Sequence, residues 1–256
     1  MKTVRLHFGQ PVEMTSFSDL LEAMPDTEFL GLTRSTVPLL AWWNEKEHVR
    51  AAGESLGLGN LQAGDAWFEY AVSPACASCG GHGKASFTDL LLECGDQVVA
   101  IEAKHREKPY ATVGEWLGST PSENKKRVLH HWLQCCIGSA VPSEECAALV
   151  YQMVHRTASA CHVAARRGAT AQVVHLLFGS EHVGAYVRAV QALVDTLALA
   201  QRVRFAVLNI PTSDGADFGG VAVDVGLRGP DALREALVEG KRLFNFGTPQ
   251  LEFTSG

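Results

Sequence analysis

Two acidic residues and one lysine are spaced so that a β-hairpin would bring them together. The runs SFTDLLLEC and QVVAIEAK have the composition of strands and are joined by Gly95-Asp96, a pair typical of a two-residue type II′ turn. In that register Asp89 lies directly opposite Glu102. Lys104 follows two residues later and projects from the same face, because alternate residues of a strand share a face. A four-residue loop would shift the partners by two and leave the face unchanged.

This arrangement predicts a cation site. Directly opposed residues have Cβ atoms roughly 4.5–5.5 Å apart, and like charges at that distance are destabilising. Lys104 supplies one positive charge, and a divalent cation would supply more. Carboxylate oxygens on rigid strands suit Mg²⁺ or Mn²⁺. Such a metal can activate water for phosphodiester hydrolysis, while Lys104, kept protonated by its acidic neighbours, positions the water and stabilises developing charge.

The segment TDLLLECGDQVVAIEAK at 88–104 resembles the core motif of the PD-(D/E)XK phosphodiesterase superfamily, which has a restriction-endonuclease-like fold. The resemblance implies that Asp89, Glu102 and the main-chain carbonyl of Ala103 bind the metal. The stretches FEYAVSP from Phe68 and YQMVHRTASA at 151–160 are also similar to a bacterial subgroup of nuclease-like proteins. The similarity covers about 67–160 and implies a fold and a class of chemistry.

Further candidates flank this motif. Glu69 is isolated in the apolar run WFEY, where an unpaired carboxylate is costly. The superfamily has an upstream acidic residue at its metal site, so Glu69 is the candidate and Glu45 its rival. The resemblance also implies that Gln152, on a later element, contacts the site.

Basic residues suggest contacts with a phosphate backbone. Arg156 could hold a phosphate in a bidentate manner, and Lys108, Lys125 and Lys126 belong to two locally basic segments. Each segment is also compatible with an ordinary solvated face. The net charge of −6 argues against extensive non-specific binding along nucleic acid.

The alternation of strand-like and helix-like segments along the sequence predicts one α/β domain spanning 1–256, with a central mixed β-sheet flanked by helices. We expect a restriction-endonuclease-like core over about 37–180 and a C-terminal αβ extension over about 181–256. Within these, the pattern predicts helices over 37–56 and 231–244, and a strand over 220–227.

Cysteine usage and the N-terminus bear on location. Seven cysteines without an apolar leader predict reduced thiols in a cytoplasmic protein with no membrane span. Cys76, Cys79 and His82 form an incomplete ligand set, so we expect no zinc there.

The leading hypothesis is a Mg²⁺- or Mn²⁺-dependent endonuclease or exonuclease whose partner is nucleic acid, with DNA favoured over RNA. Two alternatives remain open: a nuclease fold that binds without turnover, and a hydrolase of a small nucleotide. A homodimer is compatible with all three hypotheses.

Overall fold

A computed structural model describes residues 4–9, 12–62, 64–73, 83–137, 144–179, 181–199 and 202–255. Its centre is an eight-stranded mixed sheet with the strand order β10-β7-β6-β5-β4-β3-β1-β2. The strands β5, β6 and β7 are parallel, and β3, β4 and β5 are antiparallel. The predicted α/β domain with a mixed sheet flanked by helices is confirmed.

The N-terminal half supplies the antiparallel part of the sheet and the first helices. Its elements are β1 (Arg5–Phe8), β2 (Val12–Met14), α1 (Phe17–Ala23), a 3₁₀ turn (Asp26–Phe29), α2 (Thr36–Asn44), α3 (Lys46–Ser55), β3 (Asp65–Val72), β4 (Ser86–Cys94), β5 (Gln97–His105), α4 (Val113–Leu117) and α5 (Glu123–Ile137).

The C-terminal half adds the parallel strands and one edge. Its elements are α6 (Tyr151–Arg167), β6 (Thr170–Phe178), α7 (Val183–Leu197), β7 (Val203–Ile210), β8 (Thr212–Asp214), α8 (Phe218–Arg228), α9 (Pro230–Val238), β9 (Phe244–Phe246) and β10 (Gln250–Ser255). Strands β8 and β9 form a separate two-stranded ribbon.

The hairpin β4–β5 has the predicted register. Cys94 pairs with Gln97, and the pairing continues to Leu90 opposite Ile101. Gly95 adopts a φ of 63°, which the first residue of a type II′ turn requires and which glycine takes without strain. A one-residue slip would have moved every side chain to the other face, so this register fixes the faces of the site.

Apolar layers cover both faces of the sheet. One face packs Leu90, Leu92, Val99 and Ile101 against α1, α2 and α9, and the other packs its apolar residues against α5, α6 and α7. The acidic row on β4 and β5 is therefore not on a solvated face. Within the described ranges, no helix is long and apolar enough to cross a membrane.

Three predicted elements were wrong in type or extent. The predicted helix over 37–56 is two helices that meet at Glu45. Residues 220–227 lie in helix α8 rather than in a strand; its alternating valines suggested a strand, but most of the helix is exposed. The predicted helix over 231–244 ends at Val238, and the chain then returns as strands β9 and β10.

Candidate active site

Three carboxylates occupy equivalent positions on neighbouring strands. The pairing of β3 with β4 runs through Phe68–Leu90 and Tyr70–Thr88, which places Glu69 level with Asp89. Extending the β4–β5 register by one step places Asp89 level with Glu102. Glu69 has a φ of 52°, a conformation that costs a non-glycine residue free energy and that recurs at functional sites. The predicted juxtaposition of these acids is therefore present.

The sheet opens at this row. Pairing between β4 and β5 extends from the turn as far as Leu90 and Ile101. One step beyond, the N–H of Ala103 donates to the Asp89 Oδ2 atom at 2.8 Å, so a side chain replaces the main-chain partner. The opening leaves room for the side chains of helix α6 to reach β5.

Helix α6 contributes two side chains that hold Glu102. Gln152 and Arg156 are four residues apart and so share one face of the helix. Gln152 donates from Nε2 to Glu102 Oε1 at 2.7 Å, and Arg156 donates from Nε to Glu102 Oε2. Lys104 donates to Glu102 Oε1 at 2.6 Å. Glu102, Lys104 and Arg156 are 1%, 5% and 7% exposed, so this is a buried ionic network.

Ser86 extends the network behind Arg156. The guanidinium donates from its NH1 atom to Ser86 Oγ at 2.8 Å, and the same hydroxyl lies 2.8 Å from His155 Nδ1. Burial beside Arg156 lowers the pKa of His155 to about 3, so the imidazole is neutral at pH 7. A neutral ring can exchange a hydrogen bond with Ser86 without adding charge beside Arg156.

These groups line a polar cavity of about 210 Å³, the carboxylate cavity, in which acidic side chains outnumber basic ones. Among the described residues, five carboxyl groups line it against three basic groups, an excess of two negative charges when all are ionised. The acids are Glu28, Glu69, Asp89, Glu102 and Glu107, and the bases are Arg34, Lys104 and Arg156. The excess equals the charge of one divalent cation.

The pKa values reflect that excess. Burial and the neighbouring Asp89 raise the pKa of Glu69 to about 8, and burial and Glu102 raise the pKa of Asp89 to about 7. Burial would also raise the pKa of Glu102, but Arg156 and Lys104 lower it to about 2. Glu102 is thus a fixed anion, whereas Asp89 and Glu69 resist ionisation without a further positive charge.

Lys104 remains a cation. Burial would lower its pKa, but Glu102 and Asp89 outweigh burial and hold it well above the usual value. The ammonium lies 4.9 Å from the centroid of the Tyr110 ring and 3.9 Å from Glu107 Oε2. Lys104 can therefore act as an electrostatic group and not as a general base.

The structure brings some predicted residues together and leaves others apart. Asp89, Glu102, Lys104, Glu69 and Gln152 all line the cavity, as does Arg156. Arg156 donates to Glu102 and Ser86, which gives it a role in positioning Glu102, and its predicted bidentate contact with phosphate stays a prediction. Ala103 contributes its N–H to Asp89, and its side chain packs in the opposite core.

Glu45 and three predicted basic contacts lie elsewhere. Glu45 is 48% exposed and pairs with His48 away from the cavity, so Glu69 remains the predicted upstream acid. Lys125 donates to the main-chain oxygens of Trp116 and Leu117, Lys126 pairs with Glu123 at 2.8 Å, and Lys108 is exposed. None of these three lysines is among the described residues that line the carboxylate cavity. Cys76, Cys79 and His82 lie outside the described residues.

Several residues in or beside the cavity were not predicted from the sequence. Glu28 and Arg34 come from the 3₁₀ turn and the loop after it, and no local pattern connects them with the hairpin. Glu107 follows Lys104 by three residues and could have been suspected from that spacing alone. His175, beside Glu102 in the parallel pairing of β5 with β6, is fully buried, and both its ring nitrogens lack hydrogen-bond partners among the described residues.

The side chains of the cavity have the donor chemistry that Mg²⁺ or Mn²⁺ requires, but not yet the geometry. Carboxylate oxygens are the donors these ions prefer, and the cavity has the matching charge deficit. Among the described residues, however, no three Asp, Glu, His or Cys side chains converge closely enough to hold a metal as they stand. The donor chemistry fits, with Asp89 and Glu69 as the available ligands and Glu102 engaged by its basic partners.

Comparison with known proteins gives a family without an assigned activity. No curated protein and no solved structure matched the chain. The model of a family described as a domain of unknown function, DUF6946, matches residues 13–210, which include every strand and helix of the carboxylate cavity. The match covers well over half of the chain, and the protein therefore belongs to the DUF6946 family.

Proposed function

We propose that this protein is a metal-dependent phosphodiesterase that hydrolyses nucleic acid, with DNA favoured over RNA, at the carboxylate cavity. The observation that carries the proposal is the row Glu69, Asp89 and Glu102 beside a buried, protonated Lys104. Two of these carboxyl groups have raised pKa values and would ionise readily only when a cation enters. The resemblance of 88–104 to the PD-(D/E)XK motif supports the same chemistry.

Each side chain has a role in this proposal. Asp89 and Glu69 would hold the cation with Glu102, and Mg²⁺ or Mn²⁺ would supply an activated water and a charge opposite the phosphate. Lys104 directs its ammonium at the reacting group and stabilises the charge that develops there. Gln152 and Arg156 fix Glu102, and Glu102 in turn orients Lys104. We place the protein in the cytoplasm, consistent with reduced thiols at Cys94, Cys136, Cys146 and Cys161.

Hydrolysis by matched variants tests the proposal. The purified protein is incubated with single- and double-stranded DNA and RNA in Mg²⁺ or Mn²⁺, alongside Lys104→Ala and the surface control Lys241→Ala, which removes only a surface pair with Glu239. We expect cleavage by the parent and the control, and a loss of roughly 100- to 1,000-fold in Lys104→Ala, the range for one preorganised electrostatic group. Absence of cleavage, or equal cleavage by Lys104→Ala, would remove the catalytic role.

One observation favours a second function. Both oxygens of Glu102 are engaged, Oε1 by Lys104 and Gln152 and Oε2 by Arg156. A carboxylate so fully neutralised suits a structural ion-pair network, and the fold would then serve as a nucleic-acid-binding module without turnover. Saturable binding of nucleic acid that does not change with added Mn²⁺, together with no cleavage, would support this second function.

A further inference from the structure

A second cavity adjoins the carboxylate cavity on the other side of Lys104. It has a volume of about 370 Å³, within the range of small-molecule sites, and Lys104 and Glu107 line both cavities. It lies at the carboxyl ends of the parallel strands β5 and β6 and at the start of helix α7. Ligands of open α/β sheets bind at this end of the strands. Lys104 therefore lies between the two cavities.

One residue in the wall of the second cavity has a buried hydroxyl without a hydrogen-bond partner among the described residues. Tyr186 lines it and is 2% exposed, and its hydroxyl has no hydrogen-bond partner among the described residues. The ring of His175 packs beside it, with centroids 5.9 Å apart. A buried polar group that has no hydrogen-bond partner destabilises the folded protein. A ligand that exchanges a hydrogen bond with Tyr186 would recover that lost stability.

The amino-terminal end of helix α7 favours an anion at one end of the cavity. The helix is 15 residues long, its N-cap His182 makes no side-chain capping bond, and its first turn holds no acidic residue. The N–H groups of a first helical turn and the helix dipole attract phosphate. Lys104 and Arg106 add positive charge to the same lining.

The remaining walls suit a planar group with polar edges. Leu177 supplies an apolar side chain on the same face of the sheet as Tyr186, while Glu107 and Glu181 offer acceptors to amino or hydroxyl groups. The carboxylates of Glu107 and Glu181 would repel a simple anion such as free phosphate, so the ligand should also carry hydrogen-bond donors. Phosphate at one end, an apolar ring in the middle and hydrogen-bond donors at the edge describe a nucleotide.

We propose that this second cavity binds one nucleotide of the substrate beside the scissile phosphodiester, with its phosphate near the start of α7 and Arg106, its base against Leu177, and a hydrogen bond to Tyr186. The inference rests on the proposed function, because it makes the second cavity a subsite of the same reaction. A site for one nucleotide also accords with the net charge of −6, which disfavours long runs of backbone contacts.

Binding without turnover tests the subsite. Thymidine monophosphate, adenosine monophosphate, thymidine and inorganic phosphate are each titrated calorimetrically into the full chain in EDTA. We expect the monophosphates to bind at least tenfold more tightly than thymidine or phosphate. Tyr186→Phe should weaken the monophosphates five- to tenfold, and the control Tyr151→Phe, on another cavity, should not. Arg106→Gln, an exposed position, should weaken the monophosphates and leave thymidine unchanged.

Two results would overturn the subsite, and they differ from failure of the proposed function. Phosphate binding as tightly as the monophosphates, or monophosphate binding that is absent or equal in the parent and Tyr186→Phe, would refute it even if Lys104-dependent cleavage is found. Conversely, binding that depends on Tyr186 without any cleavage would keep the nucleotide site and remove the hydrolytic function.

Discussion

Replacing Asp89 with asparagine should make the metal-free protein more stable at neutral pH. Burial and Glu102 raise the pKa of Asp89 to about 7, against about 3.9 in an unfolded chain. Below pH 4 the group is protonated in both states and imposes no penalty. Between pH 4 and 7 the unfolded state releases its proton first, so stability falls as the pH rises and stays low above pH 7. Asparagine removes this loss and keeps an acceptor for Ala103 N–H.

The size of this loss of stability follows from the difference between the pKa values of Asp89 in the folded and unfolded protein. The loss between pH 5 and pH 8 covers about two pKa units, or roughly 3 kcal/mol at 1.36 kcal/mol per unit. For a chain of this length that is about 6–10 °C in melting temperature. Buried histidines titrate in part of this range, but they are common to parent and variant. The difference between the two proteins therefore isolates Asp89.

Thermal unfolding in EDTA at pH 5 and pH 8 measures the effect, with Asp65→Asn as control. Asp65 pairs with Arg5 and His7, and these contacts outweigh burial and lower its pKa, so its stabilising contribution is present at both pH values and its loss should destabilise the protein at both. Mn²⁺ at pH 8 should stabilise the parent and not Asp89→Asn. If the gain from Asp89→Asn is the same at pH 5 and pH 8, the acidic cavity does not impose the charge penalty described here.

Three further predictions concern single residues. Arg156→Met should lower the free energy of unfolding by about 3–5 kcal/mol in urea titrations, because it removes one of the two buried cations that neutralise Glu102; an unchanged value would show that Lys104 alone suffices. Glu69→Gln should weaken Mn²⁺ binding in calorimetry about tenfold or more whereas Glu45→Gln should not, and the reverse order would transfer the role to Glu45. His175→Phe should flatten the loss of stability between pH 6.5 and pH 4, because burial lowers the pKa of this histidine to about 4 and folding opposes its protonation; a melting curve with the parent's acid sensitivity would contradict this.

The hairpin could be predicted because its determinants are local. A glycine followed by a polar residue sets the turn, alternating apolar residues set the faces, and together they place Asp89, Glu102 and Lys104 on one side. The same local reasoning identified Glu69, since an isolated carboxylate in an apolar run requires a partner.

The parts that the sequence did not predict depend on contacts between distant segments. Arg156 is 54 residues from Glu102 in the chain, and only the packing of α6 on β5 shows that it neutralises this carboxylate. Glu28 reaches the cavity from a segment that carries no pattern of its own. Helix α8 was mistaken for a strand because β-branched residues alternate there, whereas its only fully buried residue is Val221.

A crystal of the protein soaked in Mn²⁺ and measured at an anomalous wavelength tests the central claim most directly. We expect one strong anomalous peak in the cavity between Asp89 and Glu102, with Glu69 within direct or water-mediated reach, and no such peak in Asp89→Asn. An empty cavity, with Glu102 still held by Lys104 and Arg156 at saturating Mn²⁺, would contradict a metal-dependent site and leave the row of carboxylates as a structural ion-pair network.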